Sequence, residues 1–173
     1  MPSQPFNHLR AIRCFALLLF LPVLAFAQIA TEEAFSPSQG STALIVRTIG
    51  EAHQSIRVAA YTFTSHTIAE ALANAHKRGV NVRVVLNKSQ RTNRSSVAGW
   101  LGDTGIPVRF NGRYAIMHDK FLIIDDITLE TGSFNFTKAA ETRNAENVIV
   151  IHDDPNAVAN FTQQWEKLWR EAE

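Results

Sequence analysis

The chain has 173 residues, 17 basic and 16 acidic, for a net charge of +1. That near balance excludes a wholesale basic surface, so any attraction for a polyanion has to come from local clustering. The length suits one domain with a sizeable core, and the single cysteine, Cys14, leaves neither an internal disulfide nor a thiolate metal site.

Residues 1–27 carry Arg10 and Arg13 ahead of an apolar stretch over 14–26 and close on Ala25-Phe26-Ala27. Basic front, apolar middle and small residues at the end predict a secretory signal peptide cut between Ala27 and Gln28. The apolar stretch is shorter than the roughly 20 residues a membrane span needs, which argues against a retained anchor. Cleavage would leave one domain over 28–173, with 15 basic and 16 acidic residues and no cysteine. The expected location is the periplasm or the medium, without stable membrane association.

"STALIVRTIGEAH" (41–53) spaces Ala43, Leu44, Ile45, Ile49 and Ala52 as a helix does. "SIRVAAYTFT" (55–64) is β-branched and aromatic and reads as a strand. "SHTIAEALANAHKRG" (65–79) repeats Ile68, Leu72 and Ala75, with Ser65 as N-cap and Gly79 as stop. "VNVRVVL" (80–86) reads as the next strand. The resulting βαβ unit predicts an α/β fold: a mixed, largely parallel sheet flanked by helices in a single domain. Next, "NKSQRTNRSS" (87–96) carries Lys88, Arg91 and Arg94 with no acid, at the carboxyl end of a parallel strand. It reads equally as a solvated loop or as a surface for a phosphate backbone. A short helix over 97–101 and a strand "IPVRF" (106–110) follow, and Arg109 and Arg113 add two more cations. The tail "PNAVANFTQQWEKLWREAE" (155–173) opens on proline and repeats Val158, Phe161, Trp165, Leu168 and Trp169, a helix whose apolar face reads as core or as a cover on the sheet.

"MHDKFLIID" (117–125) sets two titratable side chains at the head of an apolar run. On a strand, His118, Lys120 and Leu122 share one face and Asp119, Phe121 and Ile123 the other. Asp125 has the opposite parity, and Asp125-Asp126 reads as a turn into "ITLETGSFNFT" (127–137), a second strand. Antiparallel pairing of the two would bring His118, Lys120, Ser133 and Asn135 into one pocket. Lysine, asparagine and serine supply donors for a doubly substituted phosphate, and a histidine beside phosphorus can act as nucleophile or general acid. No paired carboxylate, HExxH or His/Cys cluster lies near them in sequence, so neither a metal nor another cofactor is implied. An isolated HxK would be an ordinary polar strand end. The downstream Gly-Ser-x-Asn and the aspartate at its fixed distance make coincidence improbable.

"HDKFLIID" is HxKxxxxD, and with "GSFN" it resembles the HKD motif of the phospholipase D superfamily. "RVAAYTFTSHTIAEAL", "RGVNVRVVLNKSQ" and "TGSFNFTKAAETRNAENVIVI" resemble the small secreted bacterial endonucleases that carry a single such motif. The resemblance implies a phosphohistidine intermediate formed without metal, and a homodimer that brings His118 against its symmetry mate. It implies a catalytic set of His118, Lys120, Asp125, Ser133, Asn135 and Glu146. Lys120 and Asn135 would bind phosphate, and Glu146 would bond the far nitrogen of the histidine, with Glu141 the competing candidate in a solvated "KAAETRN". The parity of Asp125 favours a turn or structural role. Lys88, Arg91, Arg94, Arg109 and Arg113 are the candidate nucleic-acid contacts. His53, His66, His76 and His152 show no metal spacing and read as structural or solvated. Two other readings stand beside the nuclease: a phospholipase D or transphosphatidylase acting on lipid headgroups, and a catalytically silent binding protein, which would have no use for the histidine.

Overall fold

The computed structural model describes residues 29–173, in which, apart from three consecutive strands over 108–132, strands and helices alternate. They are β1 (Ala30–Ser36), α1 (Ser41–Gly50), β2 (Ser55–Ala60), α2 (His66–Lys77), β3 (Asn81–Asn87), a 3-10 turn (Lys88–Arg91), α3 (Ala98–Asp103), β4 (Val108–Asn111), β5 (Lys120–Ile124), β6 (Thr128–Gly132), α4 (Lys138–Thr142), β7 (Glu146–His152) and α5 (Pro155–Arg170). The expected signal segment and its cleavage point lie outside the described residues.

The strands form one sheet in the order β1-β7-β6-β5-β2-β3-β4. The βαβ unit is present, and β2, β3 and β4 run parallel. The sheet is mixed, but the largely parallel character expected of it is corrected: every other neighbouring pair is antiparallel. The cause is the connection after β4. Residues 112–119 stay at one end of the sheet instead of crossing over in a helix, so β5 must return antiparallel, on the far side of β2.

Period-two burial divides the core. Ile56, Val58, Val82, Val84, Leu122, Ile124, Val148 and Val150 face the side covered by Leu44 and Ile45 of α1 and Ile68 and Leu72 of α2. Ala59, Val85, Phe121, Ile123 and Leu129 face the other side, under Val158, Trp165 and Leu168 of α5. The tail helix is therefore a cover on the sheet. Asp154 caps it through the Asn156 and Ala157 amides, and the buried Trp165 indole donates to the Val58 carbonyl at 2.9 Å. Ser65 caps α2 through the Ile68 amide, and Gly79, at φ 94°, takes the left-handed conformation that ends it.

Several boundaries differ from the sequence expectation. β2 stops at Ala60, because Phe63 turns into the core and packs edge-on against Phe136 at 5.3 Å. β6 stops at Gly132. The stretch read as solvated contains α4, whose Ala140 is fully buried. Glu141 of α4 accepts from the Thr42 amide at 2.9 Å and the Thr42 hydroxyl at 2.7 Å. It caps α1, whose own N-cap position is Gly40 and supplies no side-chain oxygen.

On β6, Glu130 lies between Leu122 and Val150 in register and is 1% exposed. Burial pushes its carboxyl up to about 8, against an opposing hydrogen bond from the Leu122 backbone. The native state thus keeps a proton that the unfolded chain releases near pH 4.5. The stabilisation from this group is complete below that pH and is lost as pH rises towards 8. Glu130→Gln should remove that loss, narrowing the difference between unfolding free energies at pH 5 and pH 8 by more than about 2 kcal/mol. Denaturant melts of both proteins at the two pH values measure it; an unchanged difference would contradict a buried neutral acid.

Candidate active site

The loop over 112–119 is held at the carboxyl end of the parallel strands by a buried amide. Asn87, the last residue of β3, accepts from the Met117 N–H at 3.0 Å and donates to Ser89 Oγ at 2.7 Å. Met117 is buried and His118 is exposed, so the histidine stands on a fixed backbone outside the strand it was expected to begin. Its ring lies 4.6 Å from that of Tyr61, which follows β2.

Lys120 opens β5 opposite Ala60 of β2, on the face of Leu122, and is only 7% exposed. Burial lowers its pKa, with the negative charges of Glu146 and Asp119 acting in the opposite sense. Its ammonium donates to the His118 carbonyl at 2.7 Å and lies 3.1 Å from His118 Nδ1. An ammonium can only donate, so this contact suits a neutral ring carrying its hydrogen on Nε2.

At the end of β6, Gly132 pairs with Val148. A Cβ there would come within 2.2 Å of the Asn147 carbonyl oxygen, a contact no side chain tolerates. The close approach places Ser133 beside β7. Ser133 Oγ donates to Glu146 Oε2 at 2.6 Å and accepts from the Asn147 N–H at 3.1 Å, while Asn144 Nδ2 donates to Glu146 Oε1 at 3.0 Å. Phe134 and Phe136 are buried, and the Phe136 carbonyl accepts from the Thr64 and Ser65 amides, each at 2.9 Å. Asn135 lies between these anchors, with its Oδ1 buried and unpartnered among the described residues.

One end of the sheet therefore gathers His118, Lys120, Ser133, Asn135 and Glu146. Two relations differ from those expected. Glu146 bonds Ser133 and Asn144, which occupy both its oxygens, and does not bond His118 of its own chain. Asp125 is at the opposite end of β5, and its inclusion in the catalytic set is corrected. It and Asp126 form the β5–β6 turn at φ 52° and 59°. Its carboxylate accepts from the backbone amides of His53, Gln54 and Ser55 at 2.8, 2.7 and 2.8 Å. Burial would raise its pKa, but these three donors together hold it below the usual value.

The cations also separate. Lys88, Arg91 and Arg113 line one cleft, and Arg94 is exposed on the loop after β3. Arg109 is corrected to a structural role: it donates to the Trp169 carbonyl at 3.0 Å and lies 4.4 Å over the Trp169 ring. Residues the sequence reading missed are Tyr61, Asn87, Asn144 and Asn147. Only Tyr61, an aromatic with a polar tip at the end of an apolar strand, carried a signal. Among the described residues no group of three or more His, Cys, Asp or Glu is arranged to hold a metal.

A family model described as cardiolipin synthase, PLD-like domain, matches residues 45–169. The chain belongs to the phospholipase D superfamily. It is 41% identical over 131 residues to a phospholipase D of Rickettsia conorii, covering 76% of this chain and 65% of that relative. It is 38% identical over 121 residues to a mitochondrial cardiolipin hydrolase of Chlamydomonas reinhardtii, covering 70% of this chain and 54% of that one. The chain thus spans about two thirds or less of the length of these relatives. Nuc from Salmonella typhimurium, a phospholipase D family member, aligns with a TM-score of 0.81 at 40% identity, over 84% of this chain and 97% of Nuc. NucT from Helicobacter pylori aligns at 0.76 with 25% identity, over 84% and 98%. The residues gathered around His118 are the candidate site of this superfamily member.

The separation of Asp125 from that site has a measurable consequence. Asp125→Asn should lower unfolding free energy by roughly 1–3 kcal/mol, as three charge-assisted bonds weaken, while turnover per folded molecule is retained. Thermal melts alongside active-site titration test this; a drop in turnover at unchanged stability would return Asp125 to the chemistry.

Proposed function

We propose that the protein is a metal-independent endonuclease that cleaves DNA, and RNA where it meets it, through a phosphohistidine intermediate at a site completed by a second copy of the chain. The observation that carries this reading is the pairing of an exposed histidine with a desolvated lysine at the sheet end. The cleft of Lys88, Arg91 and Arg113 on the flank of the same loop adds support.

In this mechanism Lys120 and the Asn135 amide hold the non-bridging phosphate oxygens, and charge there builds against a cation already stripped of water. Phosphate binding draws the ammonium from Nδ1, so that the ring hydrogen can reside there and the Nε2 lone pair can attack phosphorus. A P–N bond forms as a P–O bond breaks, and the departing oxygen takes a proton from His118 of the partner subunit. That second imidazole then removes a proton from water, whose oxygen displaces the histidine. Ser133 positions the segment that bears Asn135, and Glu146, held by Ser133, opposes the charge of Lys120. Export through the N-terminal segment is part of the same proposal.

Phospholipid hydrolysis is the second reading. The sequence relatives are named phospholipase D and cardiolipin hydrolase, and Ile116, two residues before His118, is 54% exposed, an apolar contact for an acyl chain.

Purified protein is tested on plasmid DNA, single-stranded DNA, RNA and phosphatidylcholine, each with and without EDTA. Nucleic-acid cleavage should persist in excess EDTA; cleavage abolished by chelation would overturn the mechanism, and hydrolysis of lipid alone would decide for the second reading. His118→Ala should lose turnover by on the order of a thousandfold or more with its fold retained. The rate profile should be bell-shaped, because one imidazole must be neutral and its mate protonated. An active monomer in sedimentation velocity would exclude the shared site.

A further inference from the structure

The second group of polar side chains at this end of the sheet lies beside the catalytic loop. Lys88 and Arg91 come from the 3-10 turn after β3 and Arg113 from the loop after β4, and with Phe110 they line a cleft of about 560 Å3. The cleft is tied to the loop that bears the histidine by two short connections. Lys88 follows Asn87, whose amide holds the Met117 backbone, and Arg113 starts the loop that ends in His118. The Arg91 guanidinium lies 5.0 Å over the Phe110 ring, so a cation is presented on a flat apolar support.

Two carboxylates already occupy the same cleft. Glu173 reaches Arg91 at 3.9 Å, and its backbone bonds that of Phe110 in both directions, at 2.8 and 3.2 Å. Glu171 also lines the cleft, and its Oε2 is buried without a hydrogen-bond partner among the described residues. A carboxylate oxygen left in that condition is costly, and it adds negative charge to the lining that also holds Lys88, Arg91 and Arg113. The acids stand where an anionic ligand would compensate the three cations.

We propose that this cleft is the subsite for a second phosphate of a nucleic-acid strand whose scissile phosphodiester lies at His118, and that Glu171 and Glu173 are its internal competitors. This rests on the nuclease reading. A polynucleotide offers further phosphates on either side of the cleaved one, whereas phosphatidylcholine has a single phosphodiester and cardiolipin one beyond that cleaved, which is why cardiolipin vesicles are an arm of the test. Entry of a strand phosphate displaces two side chains and leaves the backbone pairing of residue 173 with Phe110 intact. Phe110 offers a face on which a base can stack.

Binding of a fluorescein-labelled single-stranded oligonucleotide is measured by anisotropy as a function of salt, in full-length protein carrying His118→Ala. Adding Lys88→Gln, Arg91→Gln and Arg113→Gln should weaken binding at least tenfold and make the logarithmic salt dependence shallower by about 0.7, the share of one phosphate on a single strand. Adding Glu171→Gln and Glu173→Gln instead should tighten binding severalfold at low salt. In protein that keeps His118, the triple variant should raise KM for the oligonucleotide far more than KM for bis(p-nitrophenyl) phosphate. Unchanged affinity and salt slope in the triple variant, or no gain in the glutamate variant, overturns the subsite while nuclease activity itself stands. The same shifts seen with cardiolipin vesicles and not with the oligonucleotide assign the cleft to a lipid. Failure of the wild-type protein to cleave any nucleic acid removes the nuclease reading and the subsite together.

Discussion

The antiparallel register of β5 between β2 and β6 is the constraint on which the site depends. Lys120 opposite Ala60 and Phe121 opposite Thr131 put the start of one strand beside the end of the other. Side chains alternate along β5, so a slip of one residue would carry Lys120 to the face of α5 and Leu122 away from its own core. Burial of Leu122, Ile124, Phe121 and Ile123 on opposite faces of the sheet forbids that slip. Packing on both sides of a short strand thereby holds a charged side chain in register, something no interaction at the site itself could do.

The position of Lys120 also defines its electrostatics. A nearly buried ammonium is unfavourable unless its hydrogens are accepted and its charge is opposed. The His118 carbonyl does the first, and Glu146 and Asp119 contribute to the second. Glu146 is in turn held by Ser133 and Asn144, and Ser133 by the Asn147 amide. The chain of contacts runs from β5 across β6 to β7, and it closes because Gly132 lets the two backbones approach.

What was legible in the sequence follows from range. Ile68, Leu72 and Ala75 mark α2, and Val158, Trp165 and Leu168 mark α5, because helical periodicity is local. The β-branched strands of the βαβ unit are equally plain. β1 escaped because its "ATEEAFS" mixes two glutamates with few apolar residues and is a strand only through pairing with β7. The antiparallel half of the sheet escaped because strand direction depends on which end a connection stays at, which composition does not encode. Within the site, motif spacing identified His118, Lys120, Ser133 and Asn135. The hydrogen-bond partner of Glu146 and the burial of Arg109 against Trp169 are long-range facts, invisible to spacing.

Asp125 shows that one sequence motif can join two unrelated physical demands. Its histidine and lysine face the open end of the sheet, while its aspartate, at the far end of the same strand, secures three backbone amides between α1 and β2. Substitution there acts through the population of folded molecules, so a screen that scores only cellular activity would rank it with His118. Sequence constancy at such a position measures a fold's tolerance, and only a per-molecule rate tells it apart from chemistry.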